Sequence, residues 1–158
     1  MKQNHRYLIL ILTLMLVLPL LSVGIDAALF AEADSLLALI GKWFVFWALG
    51  IRLAMAGVVQ VRQPEFTVKK MFGIDNPASY HFVRELGFAT FSMGLLAILS
   101  LPFPEFRLGA ALVGGLYMGF AGVYHVIKKP ATANEWVAMV TDLLIALLMA
   151  VYLLGQIG

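Results

Sequence analysis

The sequence predicts an all-α bundle of five membrane-spanning helices joined by short connections. Three observations carry that prediction. Of the 158 residues, 62% are hydrophobic and 13% charged, against roughly 45–50% and 25% in an ordinary soluble domain. The apolar residues also gather into five long stretches, and a bilayer core of about 30 Å takes roughly 20 helical residues at 1.5 Å each. Finally, those stretches, at about 7–31, 36–61, 79–101, 106–127 and 134–157, fill nearly the whole chain and leave one membrane domain over 1–158. Lipid offers no partner to a free N–H or C=O, so each stretch must satisfy its backbone internally, as a helix does.

The first stretch has two readings. Lys2, His5 and Arg6 precede an apolar run from Tyr7 to Leu21, and Ala31-Glu32-Ala33 follows it, a loose match to a secretory signal whose removal would leave four helices. The run is longer than a usual signal core, so a retained first helix is expected. In the second stretch, Trp43-Phe44-Val45-Phe46-Trp47 follows Lys42. Trp43 there reads as an interfacial aromatic belt, with a ring platform for lipid or quinone as the alternative.

After the second helix comes 62–78, RQPEFTVKKMFGIDNPA. Thr67 is expected to cap a short interfacial helix with Val68, Met71 and Phe72 toward lipid and Lys69 and Lys70 toward headgroups. A solvated loop is the equal alternative. Asn76 before Pro77 reads as an N-cap with proline at the first helical position, opening the third helix. Pro102-Phe103-Pro104-Glu105 is a tight turn into the fourth helix, and Lys128-Lys129-Pro130-Ala131-Thr132 another into the fifth, proline stopping each preceding helix.

Orientation follows from the basic residues. Lys2, Arg6, Arg62, Lys69, Lys70, Arg84, Lys128 and Lys129 fall on the side of the N-terminus, against Lys42 and Arg107 on the other. The richer side is assigned to the cytoplasm, which puts the N-terminus inside and the C-terminus outside.

Two charges lie deep in apolar runs. Arg52 is roughly 13–14 Å above the inner end of the second helix, and Asp142 roughly 12 Å into the fifth from the same face. A charge at mid-helix costs roughly 2.5–3.5 kcal/mol on insertion scales, so an Arg52–Asp142 ion pair between helices two and five is expected, with the guanidinium gripping the carboxylate through two parallel hydrogen bonds. Such a pair serves equally as a structural lock or as part of a functional site.

A second polar layer lies nearer the basic face. Gln60 closes the second helix, Arg84 and Glu85 open the third, His125 closes the fourth and Glu135 begins the fifth. Neighbours on a helix point about 100° apart. Arginine's long stem can snorkel outward while a glutamate sits well at a helix N-terminus, so Arg84 is expected outward and Glu85 inward, near His125. His125 reads as a cap on the last carbonyls of its helix, with proton exchange with Glu85 as the functional alternative. No metal site is expected, because no HxxH, HExxH or ExxH spacing occurs and cysteine is absent.

The fourth helix, LGAALVGGLYMGFAGVYH, places Ala111, Gly115 and Gly119 four apart, with Gly114 and Gly122 widening the small face. Small residues let backbones approach closely in lipid. The fourth helix is therefore expected to be central, packing either within the chain or on a second copy or membrane partner. Nucleotide-binding, hydrolase and nucleic-acid signatures are absent.

KWFVFWALGIRLAMAGVVQ (42–60), VRELGFATFSMGLLAILS (83–100) and GGLYMGFAGVYHVIKKP (114–130) resemble a family of small bacterial multi-pass membrane proteins known only as a domain of unknown function. In that pattern Arg52, Gly57, Gln60, the block Arg84-Glu85-Leu86-Gly87-Phe88-Ala89, Gly122, His125 and Asp142 stand at recurring positions. Thr90 departs from it, since the family usually has Asn there. The resemblance implies a bacterial cytoplasmic (inner) membrane location and no inherited activity. A more distant likeness to DoxX-type membrane proteins, linked to redox or quinone chemistry, rests on size and helical character alone.

Two functions are expected in competition. One is a cytoplasm-facing polar pocket for a small anionic or amphiphilic ligand, with Arg52, Gln60, Glu85, His125 and Asp142 binding it or exchanging protons. The other is a structural or accessory subunit in which the buried charges fix packing, with Gly87, Ala111, Gly115, Gly119 and Gly122 making helix contacts. No cofactor is expected beyond a bound lipid or quinone, and with no nucleophile or cofactor motif a membrane enzyme is the third reading.

Overall fold

The computed structural model describes residues 5–29, 35–71, 73, 76–130 and 133–156. Ala31-Glu32-Ala33, Phe72 and the side chains of Lys70 and Met71 lie outside the described residues. Five helices are long and apolar enough to cross a membrane: α1 (Leu8–Leu29), α2 (Leu36–Arg62), α3 (Ser79–Leu99), α4 (Phe106–Lys128) and α5 (Ala133–Leu154). No strand occurs among the described residues.

Local chemistry sets the helix ends. Ser35, extended at ψ 151°, begins α2 by accepting a hydrogen bond from the Ala38 N–H at 3.2 Å, which satisfies one of the four donors a helix start leaves free. Asn76 instead closes a turn ahead of α3, its Oδ1 accepting from the Ala78 N–H at 3.0 Å, and the helix begins at Ser79 with Ala78 at the cap position, later than the expected Asn76 cap. Between α3 and α4, the Phe103 N–H returns to the Leu99 carbonyl at 3.0 Å and the Arg107 N–H to Pro104 at 3.0 Å. Two helices widen locally into π-helical turns, at Thr13–Val17 in α1 and Val45–Ile51 in α2, and these turns pack on one another.

The core belongs to α2, which touches all four other spans. Val45, Ala48 and Leu49 are fully buried with Met118 of α4 and Ile145 and Met149 of α5. Sequence reasoning gave the central position to α4. The difference arises because α2 carries small residues and large apolar ones on several faces, so it can be approached from every side.

The closest approach is between α2 and α3. A Cβ on Gly57 would lie 2.5 Å from the Phe91 backbone nitrogen and 2.6 Å from the Gly87 carbonyl oxygen, and one on Gly87 would lie 2.9 Å from Gln60 Cβ. Gly94 is equally closed by the Ala54 backbone. Without a hydrophobic effect in lipid, this backbone-to-backbone fit is what joins the two helices. On α4, a Cβ on Gly115 would meet Met149 at 2.9 Å and one on Gly122 would meet Leu143 at 2.7 Å. Those two glycines therefore have their partner within the chain, in α5. Gly119 has room, with Ala146 at 3.5 Å, and Ala111 is fully buried.

Candidate functional site

The α2 and α5 backbones bring the two deep charges together. Arg52 Nη2 donates to Asp142 Oδ1 at 2.7 Å, with side-chain exposures of only 13% and 6%. The expected two-pronged grip is not formed. Arg52 Nη1 turns instead to Met118 Sδ of α4, at 2.8 Å, so the guanidinium fork is divided between a carboxylate and a thioether and ties three helices at one level. Arg52 stands where the π-helical turn Val45–Ile51 ends, its own N–H returning to the carbonyls of Trp47 and Leu49. Such turns re-aim the residues that follow and recur at functional positions.

Below the pair, the expected polar layer separates. His125 is half-buried near the end of α4 and close enough to Asp142 for their charges to interact. Glu85 is exposed and points away from the bundle, which corrects the expectation that it faces inward, and no hydrogen bond joins it to His125. The reason is the facing of α3. Its buried stripe is Val83, Gly87, Thr90, Gly94 and Ala97, and at about 100° per residue Glu85 falls roughly 200° from Val83, on the far side. Thr90 is buried in that stripe and closes its hydroxyl on the Leu86 carbonyl at 2.8 Å, a role that an amide is not needed to fill. Gln60 is half-buried at the α2–α3 contact, and its Oε1 has no hydrogen-bond partner among the described residues.

Arg84 is exposed, as expected, but it does not stand alone. An open cavity of about 570 Å³ lies where α2 ends and α3 begins, lined by Arg62, Gln63, Pro64, Glu65, Phe66, Lys69, Tyr80 and Arg84. Local backbone builds it. Gln63 leaves the helical region at φ −132°, ψ 57°, and Pro64 starts a short helix, Pro64–Phe66, that continues as Thr67–Met71. This corrects two expectations for the segment. The cap position is Gln63 followed by proline, not Thr67, and Val68 is fully buried in the protein instead of facing lipid. With Val68 and Thr67 turned inward, Phe66 is left exposed and Lys69 and Glu65 pair across one turn at 3.0 Å. Arg62 and Arg84 have no ion-pair partner among the described residues.

A third polar cluster, toward the opposite face, was not anticipated. Asp26 of α1 is buried, and its Oδ2 accepts from Lys42 Nζ at 2.6 Å and from Trp43 Nε1 at 2.8 Å, while Trp47 Nε1 donates to Ser22 Oγ at 3.0 Å. Phe46 stands edge-on between the two indoles, 6.2 Å and 5.0 Å from their centroids. The aromatic run is therefore a clasp between α1 and α2, where a belt had been expected. An acid within the first apolar stretch was the signal available in the sequence.

An open apolar groove of about 380 Å³ runs between α4 and α5 past Ala111, Gly115, Gly119, Ala146 and Met149. Neither cavity reaches Arg52 or Asp142. Among the described residues no three His, Asp or Glu side chains converge.

The model of one family of unknown function, DUF6790, matches residues 5–157. The chain belongs to that family. No curated protein and no solved structure matches this DUF6790 member.

Proposed function

We propose that this DUF6790 protein is a multi-pass protein of the bacterial cytoplasmic membrane that binds a small anionic or amphiphilic ligand in a polar pocket on its cytoplasmic face. One observation carries the reading: among the described residues, the cavity at the junction of α2 and α3 is lined by Arg62, Lys69 and Arg84 against a single carboxylate, Glu65. The bias of Lys and Arg toward the N-terminal side supports the cytoplasmic assignment of that face. Arg52 and Asp142 were the sequence-based choice for the anion contact. They neutralise one another away from either cavity, so the contact is reassigned to Arg62 and Arg84, and Arg52 becomes a packing element. Proton exchange is not part of the reading, since Glu85 and His125 stand apart.

Native mass spectrometry of the gently extracted protein tests it. An anionic adduct is expected on the wild type and is expected to be lost from an Arg62→Gln/Arg84→Gln double variant. A wild-type protein that emerges bare, or an adduct that persists in the double variant, overturns the reading.

A second reading, an accessory subunit, is favoured by one observation, the open groove of small residues between α4 and α5. A partner helix would seat there. A membrane protein copurifying in stoichiometric amount, and lost on Gly119→Leu, would support it over the first.

A further inference from the structure

We infer that the ligand of the α2–α3 pocket carries a phosphoryl group, held by the Arg62 and Arg84 guanidinium forks with the Lys69 ammonium. The inference rests on the pocket reading above and names the chemistry of its ligand. Three features of the site point there.

The first is donor count. A carboxylate has two oxygens with about four acceptor sites between them, and a single guanidinium fork already takes two of these. Two arginines, a lysine and Tyr80, all residues that carry hydrogen-bond donors, line this one cavity. A phosphomonoester offers three terminal oxygens, each able to accept more than one hydrogen bond, and so can use all of these donors at once. The second is charge. Among the described residues that line the cavity, three cations against one carboxylate leave two positive charges in excess, which matches the −1.5 to −2 that a phosphomonoester carries near neutral pH. Glu65 is already engaged with Lys69 at 3.0 Å, so it steadies that ammonium while the two arginines keep their forks open.

The third is depth. Arg62 is the last residue of α2, and Arg84 is five residues past the start of α3, about 7–8 Å along it. Both lie at the end of their spans, where a bilayer's headgroup phosphates are found. Phe66 is exposed beside them and offers an apolar contact to the glycerol or upper acyl region of a lipid. A soluble phosphorylated metabolite presents the same phosphoryl group from the aqueous side. The group is what the site selects, and the two sources are separable by experiment.

The full-length protein in neutral detergent is titrated calorimetrically with four probes: dioctanoyl phosphatidic acid, inorganic phosphate, octanoate, and dioctanoyl phosphatidylcholine, whose phosphate is neutralised by its own choline. Phosphatidic acid is expected to bind roughly tenfold or more tightly than octanoate or phosphatidylcholine, because charge-assisted hydrogen bonds are each worth a factor of this size. Arg84→Gln is expected to weaken it by about tenfold on the same scale, and Arg62→Gln supplies the second measurement should Arg84→Gln lower the melting temperature. Lys128→Gln, exposed and outside the cavity, is expected to change nothing. Competition by millimolar inorganic phosphate assigns the site to a free phosphorylated metabolite, and failure to compete assigns it to a lipid headgroup. Octanoate binding as tightly as phosphatidic acid overturns the phosphoryl assignment while leaving an anion pocket standing. Phosphatidylcholine doing so overturns it by making the tail the determinant. If no probe binds, the pocket reading falls with it.

Discussion

Arg52 and Arg84 both stand on membrane-spanning helices, yet one is closed in and the other is left open. Arg52, at mid-span, gives one nitrogen to Asp142 and another to Met118 and keeps 13% of its side chain exposed. Arg84, at a helix end, is exposed and lines an open cavity together with Arg62 and Lys69. The difference follows depth. In hydrocarbon an uncompensated charge is costly enough that the fold must neutralise it, and a neutralised pair closed into the packing presents little net charge to a ligand. At the headgroup level the same side chain is solvated, the fold does not need to pair it, and it remains free to recognise an anion.

The sharpest way to break that comparison is to strip the buried charge of its partner. Asp142→Leu leaves Arg52 unpaired between α2, α4 and α5, and a loss of about 3–5 kcal/mol is expected, read as a fall in the denaturant midpoint of the detergent-solubilised protein. An Arg52→Met/Asp142→Leu double variant is expected to recover most of it, because two apolar side chains of similar size can replace a buried pair. If the double variant is no more stable than the single one, Arg52 is doing something other than locking helices, and the division between a structural and a recognising arginine fails.

Next in size is the seam that positions the pocket. Gly57→Ala puts a methyl group 2.5 Å from the Phe91 nitrogen and 2.6 Å from the Gly87 oxygen, both backbone atoms that cannot turn aside. A destabilisation of about 1–3 kcal/mol is expected from such overpacking. Because α2 and α3 carry Arg62 and Arg84 respectively, forcing them apart is also expected to weaken anion binding, whereas Gly119→Ala, with 3.5 Å to Ala146, should leave both stability and binding close to wild type. Equal effects from the two substitutions would detach the pocket from the seam.

The legible parts of this molecule are those governed by solvent. Apolar runs of spanning length imply five helices, and the Arg52–Asp142 contact is readable because each residue is a charge that hydrocarbon will not tolerate alone, at matching depth. The divided fork was not readable, since methionine 118 looks like any apolar core residue. Glu85 was misplaced for a different reason. Stem length and the helix dipole were used to choose between it and Arg84, although Gly87, Thr90, Gly94 and Ala97, spaced three and four apart, mark the inward face of α3 and set Glu85 opposite. Asp26 was open to the logic that found Asp142, although its partners Lys42 and Trp43 sit on another helix. The pocket itself depends on the turn at Gln63, which folds 64–69 back beside α3; no periodicity encodes that return.

The smallest expected change in stability gives the finest test of the open site. Glu65 and Lys69 form an exposed i,i+4 pair with side-chain exposures of 62% and 40%, and pairs of that kind contribute about 0–1 kcal/mol. Glu65→Gln should therefore leave the unfolding midpoint almost unmoved. It also removes the one carboxylate among the described residues that line the cavity, raising the excess positive charge of that lining from two to three. For a partly solvated site that change is worth about a two- to fivefold gain in affinity for dioctanoyl phosphatidic acid, and the gain should shrink as salt is raised. The opposite sign, weaker binding in Glu65→Gln, would mean that the carboxylate's hold on Lys69 matters more than its charge, so that the pocket works by geometry fixed in advance and not by net field. Buried and open arginines would then differ less than their surroundings suggest, since both would depend on a neighbouring acid to hold the cation in place.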